Sequence, residues 1–64
     1  MARFRDQQLV RLRRDHTLSD GSLLAAGSVG IVIKVYPDGK AYEVKFADLR
    51  DIQMIAVDGI EDPD

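Results

Sequence analysis

The five residues Tyr36-Pro37-Asp38-Gly39-Lys40 constrain this chain more than any others, because they encode a chain reversal and sit between two strand-like runs. Proline presets φ at the second turn position, aspartate tolerates the third, and Gly39 supplies the positive φ that closes a type I turn with a G1 bulge. The run entering the turn, Val29 to Tyr36, is rich in β-branched residues. The run leaving it, Ala41 to Phe46, alternates Tyr42, Val44 and Phe46 against Ala41, Glu43 and Lys45, the period of a half-buried strand. A hairpin follows. With Tyr36 opposite Lys40, Val32 faces Val44 and Gly30 faces Phe46, so the phenyl ring can cover the missing side chain.

That register puts Ile31, Ile33 and Val35 on the face opposite Tyr42, Val44 and Phe46. Two apolar faces cannot both fill the centre of one small fold. Either the strand bends so that its ends feed the core differently, or an apolar stripe faces outward and marks a partner or dimer surface.

The chain has 64 residues, enough for one small domain that buries about 60% of its unfolded surface. Before the hairpin, residues 1–6 read as a flexible arm that only Phe4 can anchor. Gln8 to Arg14 reads as a first strand, with Val10 and Leu12 pointing one way and Arg11 and Arg13 the other; a helix is the alternative there. Asp15 to Ser22 is polar, carries the Asp20-Gly21 turn signal and reads as a long loop. It holds the one histidine, His16, near Asp15, Ser19, Asp20 and Ser22. Residues so close in one loop do not supply a base, an orienting acid and a nucleophile in mutual reach, so the chain is read as non-enzymatic.

Gly27 ends a tight turn, and Gly30 within a strand marks a bulge or close backbone approach. These glycines lack the Lys-Ser/Thr ending and the following helix of a phosphate loop, so no nucleotide or other cofactor is expected. Beyond Phe46, Ala47 to Asp51 is a short polar connection and Ile52 to Val57 a further strand. Asp58-Gly59 is a turn, and Ile60 anchors either a short final strand or a single turn before the acidic tail, residues 61–64. Four to five short strands without a long helix predict an all-β fold, a small SH3-like antiparallel barrel around the Pro37-Asp38-Gly39 hairpin.

Charge is distributed unevenly although the net charge is only −2. Arg3, Arg5, Arg11, Arg13 and Arg14 crowd the start, whereas acids dominate from Ala47 onward. If the first and last strands are neighbours, the two sets neutralise one another. Otherwise the arginines, with Tyr36 or Tyr42 as a stacking platform, make a nucleic-acid surface. A pI near 5.2 disfavours phosphate tracking. The absence of cysteine leaves no disulfide framework or thiolate metal site. No stretch has the apolar length of a membrane span, and the start lacks a secretory core, so a cytoplasmic protein without membrane contact is expected.

The pattern Leu24-x-x-Gly27-x-x-Gly30-x-Val32, followed by Val35-Tyr36-Pro37-Asp38-Gly39-x-Ala41-Tyr42-Glu43-Val44-x-Phe46, resembles the small bacterial proteins grouped as domain of unknown function 4926. It covers roughly the middle third of the chain. The resemblance implies an SH3-like barrel, a stand-alone protein, no known cofactor or enzyme activity, and a co-expressed partner, in a toxin and antitoxin pair or another kind of co-expressed pair. Ile31 stands where a polar threonine is more usual, the Asp15 to Ser22 loop is longer, and the ending differs. Two functions follow. One is a protein-interaction module that binds another protein or a second copy through Ile31, Ile33 and Val35 or through an exposed sheet edge. The other is a nucleic-acid-binding barrel of the SH3-like or KOW-like kind that uses the five arginines.

Overall fold

A computed structural model describes residues 3–64. The elements are the strands β1 (Leu9–Leu12), β2 (His16–Thr17), β3 (Leu23–Leu24), β4 (Val29–Val35), β5 (Ala41–Phe46) and β6 (Gln53–Ala56), then a 3-10 turn (Val57–Gly59) and β7 (Ile60–Glu61). Five of the strands form one antiparallel sheet in the order β6-β5-β4-β1-β7, and β2 pairs with β3 in a separate ribbon.

The hairpin forms where its turn residues demand. The Gly39 amide donates to the Tyr36 carbonyl at 2.9 Å, Gly39 has a φ of 70°, and the Asp38 carboxylate accepts from the Lys40 amide. The expected register holds at Gly30/Phe46 and Val32/Val44. It then slips by one residue, so that Lys34 opposes Glu43, Val35 opposes Tyr42, and the Tyr36 amide reaches Ala41 rather than Lys40. Ile33 is the extra residue of a β-bulge. The bulge breaks strict alternation, which turns Val35 toward the core beside Val32 and leaves Ile31 and Ile33 on the other face. The strand therefore both bends and presents an outward stripe, without Val35.

The core comprises Phe4, Val10, Leu12, Val32, Tyr42, Val44, Phe46, Ile55 and Ile60, with Leu24, Val35, Leu49 and Val57 packed against it. Phe4 meets Tyr42 edge to face at a centroid separation of 5.4 Å. The Tyr42 hydroxyl accepts from the backbone amides of Arg3 and Phe4. That contact satisfies the one polar atom of a fully buried ring, and it ties Arg3 and Phe4 to the sheet, with Phe4 as the anchor of the segment read from the sequence as an arm; residues 1 and 2 lie outside the described residues. The chain reverses after Phe4 through Gln7, whose φ of 72° is left-handed, and the Gln7 amide donates to the Val32 carbonyl at 2.6 Å.

The expected closed barrel is not formed. The 3-10 turn interrupts the chain between β6 and β7, and β7 pairs with β1 instead of β6, so the five-stranded sheet stays open at both edges. The region read as a long loop, Asp15 to Ser22, begins with a strand that pairs just beyond the region's end. His16 opposes Leu24 and Thr17 opposes Leu23, and the Leu18 amide closes the ribbon on the Ser22 carbonyl. The polar turn residues Asp20 and Gly21 act here as hairpin chemistry. Gly27, with a φ of 93°, passes the chain into β4 and donates to the Leu12 carbonyl.

Gly30 is the point of closest approach. A methyl group there would lie 2.7 Å from Val44 Cγ1, 2.8 Å from the Lys45 carbonyl and 2.9 Å from Phe46 Cδ1. Gly30→Ala is expected to lower stability by about 1–3 kcal/mol through overpacking, read by urea denaturation; an unchanged midpoint would show that the contact yields freely. Gln7→Gly should act in the opposite sense. Relief of about 1–2 kcal/mol of left-handed strain, less the extra freedom of the unfolded chain, leaves a gain of roughly 0.5–1 kcal/mol, visible as a raised thermal midpoint.

Candidate protein-binding surface

The sheet has one face on the core and one toward solvent. On the solvent face, the register sets Leu9, Ile31 and Lys45 side by side across β1, β4 and β5, and Val29 beside Arg11. Leu9 is 52% exposed and Val29 47%, while Ile31 and Ile33 are half-buried. With Gly30 and Ala47 they line a groove of about 350 Å³. No carboxylate lines it. The Lys45 stem lies along the groove, and its ammonium turns aside to donate to the carbonyls of Phe46 and Leu49. With the Lys45 ammonium turned aside, the floor is apolar.

The structure thus brings Ile31 and Ile33 together and separates Val35, which packs against the core. Leu9 was missed. Alternation in the first strand places it on the side of Arg11 and not of Val10, and only the pairing of Leu9 with Ile31 shows that this position adjoins the stripe. Ala47, just past the end of β5, also lines the groove.

The arginines are divided among different partners. Arg11 directs Nε and Nη2 to Glu61 Oε2 at 2.9 and 2.6 Å and Nη1 to the Pro63 carbonyl, and Arg13 lies 3.8 Å from Glu61 Oε1. Arg14 donates to the Asp58 carbonyl, and the Arg3 guanidinium lies over the Phe4 ring at 5.5 Å. The Arg5 side chain is exposed. The pairing of β1 with β7 brings the basic start to the acidic tail, the intramolecular arrangement allowed by the sequence. Gln8 adds a contact to Asp62 at 2.9 Å.

Of the two tyrosines considered for stacking, Tyr42 is fully buried and cannot present its ring to a base. Tyr36 is half-buried, with the Lys34 ammonium 5.5 Å above its ring, and its hydroxyl donates to Glu43 at 3.0 Å. The polar residues of the ribbon serve local structure. The Asp20 carboxylate accepts from the Ser22 amide and hydroxyl, which holds it below the ordinary carboxylate range. Asp15 accepts from the Ala26 amide, and the His16 ring meets Gln53 Oε1 at 3.2 Å, tying the ribbon to β6.

Comparison with family models, curated proteins and solved structures gives no match to this chain. The geometry therefore defines a class only, a small, mostly β protein with an open five-stranded antiparallel sheet and an apolar outer groove. No helix among the described residues is long and apolar enough to cross a membrane.

The Tyr36–Glu43 bond gives a pH prediction. The hydrogen bond to Glu43 raises the Tyr36 pKa above its ordinary value, with desolvation and the Glu43 charge acting in the same direction. A folded-state pKa above the unfolded one means that the stabilisation is complete below the ordinary tyrosine range and is lost as pH rises through the raised value. Ultraviolet titration should show Tyr36 ionising later than a free tyrosine, and Glu43→Gln should move that step down; no movement would dissociate the two groups.

Proposed function

We propose that this protein is a non-enzymatic protein-interaction module that docks a partner polypeptide on its outer sheet face through Leu9, Val29, Ile31 and Ile33. The observation that carries the reading is the apolar groove across β1, β4 and β5, whose walls are half-exposed aliphatic side chains with no acid among them. Covering such side chains is favourable by about 25 cal/mol per Å² of apolar surface, before the costs of association are subtracted.

A different protein suits this patch better than a second copy. A stable interface needs about 800 Å² from each partner, close to a fifth of the 4404 Å² surface of the described residues. A larger partner can extend past the groove, whereas a self-pair is confined to what this small face presents. The nucleic-acid reading is weaker on the same terms, because Arg11 and Arg13 meet Glu61 and Tyr42 is inside.

An SH3-like fold is the finer architectural reading. It is supported by the strand order, by the long ribbon-bearing connection between β1 and β4, and by the 3-10 turn before a last strand that returns to the first. The resemblance of the middle third to the domain of unknown function 4926 proteins belongs to the same proposal. With it come a bacterial, cytoplasmic setting and a co-expressed partner for which this chain is the antitoxin-like or accessory member.

The test is affinity capture of the tagged protein from its host lysate, nuclease-treated and washed at high salt, with Ile33→Lys and Leu9→Lys as controls whose folds are checked by circular dichroism. A single stoichiometric protein lost in both variants is the expected result. Recovery of nucleic acid alone, and only at low salt without nuclease, would overturn it.

A further inference from the structure

The second surface is the outer edge of β6. In an antiparallel ladder, residues alternate between pointing their amide and carbonyl toward one neighbour and toward the other. The Val57 amide donates to the Lys40 carbonyl, and the Ala41 carbonyl accepts from Tyr36 on the side of β4. Those two bonds set the phase of the β5–β6 ladder. Ile55 and Gln53 bond inward to Tyr42 and Val44, and the amides and carbonyls of Met54 and Ala56 point away from the sheet.

Among the described residues, no strand pairs with this edge, and the ribbon reaches β6 through the His16 and Gln53 side chains. Protein sheets ordinarily protect such a row of backbone groups with lysine, proline, a bulge or a covering segment. Here the run Ile52-Gln53-Met54-Ile55-Ala56-Val57 has neither charge, proline nor glycine. Ile52 and Met54 are 47% and 60% exposed, and Ala56 is exposed as well. The ribbon does not cover the edge but stands across from it. A groove of about 190 Å³ runs alongside, with Leu12, Arg14 and His16 on one wall and Met54 and Ala56 on the other.

We propose that the β6 edge binds an extended segment of a partner polypeptide by strand addition, pairing with the backbone groups of Met54 and Ala56. The flanks define the segment's chemistry. Exposed acids stand at both ends of the uncharged run, Asp51 before it and Asp58 after it, so the fitting strand is uncharged in its middle and basic at its ends. Arg50 and Arg14 lie near those acids, but Arg14 is directed to the Asp58 carbonyl rather than its carboxylate. A second copy fits less well. The antiparallel register that uses the groups of both residues places Ile55 on the two-fold axis and brings Asp51 of each copy to the end that carries Asp58 of the other.

This inference shares with the proposed function the premise that the protein binds a polypeptide, but it uses a different surface, and one titration separates the two. The probe is a capped heptapeptide alternating valine and threonine between terminal lysines, added to the isotopically labelled protein and followed by amide exchange and chemical shift. Addition of the peptide should slow exchange at Met54 and Ala56 by at least about tenfold, while Gln53 and Ile55, already bonded to β5, change little. A peptide with terminal glutamates should bind several-fold more weakly.

The deciding variant is Ala56→Pro. Ala56 has a φ of −65°, the value that proline imposes, and its amide has no partner within the sheet, so the fold should be retained while one outward donor is removed. Loss of the peptide effect with an unchanged thermal midpoint supports strand addition, and Met54→Lys, which adds charge to the edge, should weaken binding without unfolding the protein. Absence of protection at millimolar peptide would overturn the proposal. So would shifts centred on Ile31 and Ile33, which would leave the outer-face reading standing alone. Protection of Met54 and Ala56 that grows with protein concentration and needs no peptide would assign the edge to a second copy instead.

Discussion

One extra residue in β4 governs how this small chain distributes its apolar side chains. Without the bulge at Ile33, strict alternation would send Val35 outward with Ile31 and leave Val32 to represent the strand in the core. With it, Val32 and Val35 both face inward, opposite Val44 and Tyr42, and Ile31 and Ile33 remain outside. The bulge adds local twist, which suits a strand that lies under Phe46 at one end and next to the turn at the other. The apolar groove follows directly from that division.

Tyr42 is the second centre of organisation. Its ring is fully buried, so its hydroxyl must find partners inside, and it finds them in the amides of Arg3 and Phe4. Through this contact a segment distant in sequence becomes a lid on the core, with Phe4 contributing a large apolar side chain to a domain that has few. The cost is the left-handed turn at Gln7. At the opposite side of the sheet, the pairing of β1 with β7 lets Arg11 and Arg13 share Glu61. Half-exposed pairs of this kind stabilise little; their main effect here is to withdraw positive charge from what would otherwise be a basic surface.

The two proposed surfaces have different physical origins. The outer groove is apolar because β4 carries aliphatic residues on both faces and β1 sets Leu9 beside them. The β6 edge is open because the 3-10 turn sends the chain on to β1 before the ladder can close. One surface offers side chains and the other backbone groups, so the specificity of each would be read differently, by shape in the first and by hydrogen-bond register and flanking charge in the second.

Local chemistry made much of the fold legible. The Pro-Asp-Gly turn and the alternation of β5 announced the hairpin, Gly30 announced a close approach to Phe46, and Val32 could be set on the same face as Tyr42 and Val44, because turn preference and side-chain period act over a few residues; which of the two faces lies inside was left to the tertiary structure. The Ile31 and Ile33 stripe was visible as an excess of apolar positions. What the residues could not reveal depended on distant partners. Nothing local marks Ile33 as the bulge, since it differs in no way from its neighbours until β5 supplies a register. Phe4 joins the core only because Tyr42 offers a ring and a hydroxyl, and Leu9 joins the groove only through its place opposite Ile31. The ribbon from His16 to Leu24 and the open edge at Met54 and Ala56 belong to the same class. Whether a backbone amide is paired is decided by which strand arrives beside it, and in this chain the final strand arrives beside β1.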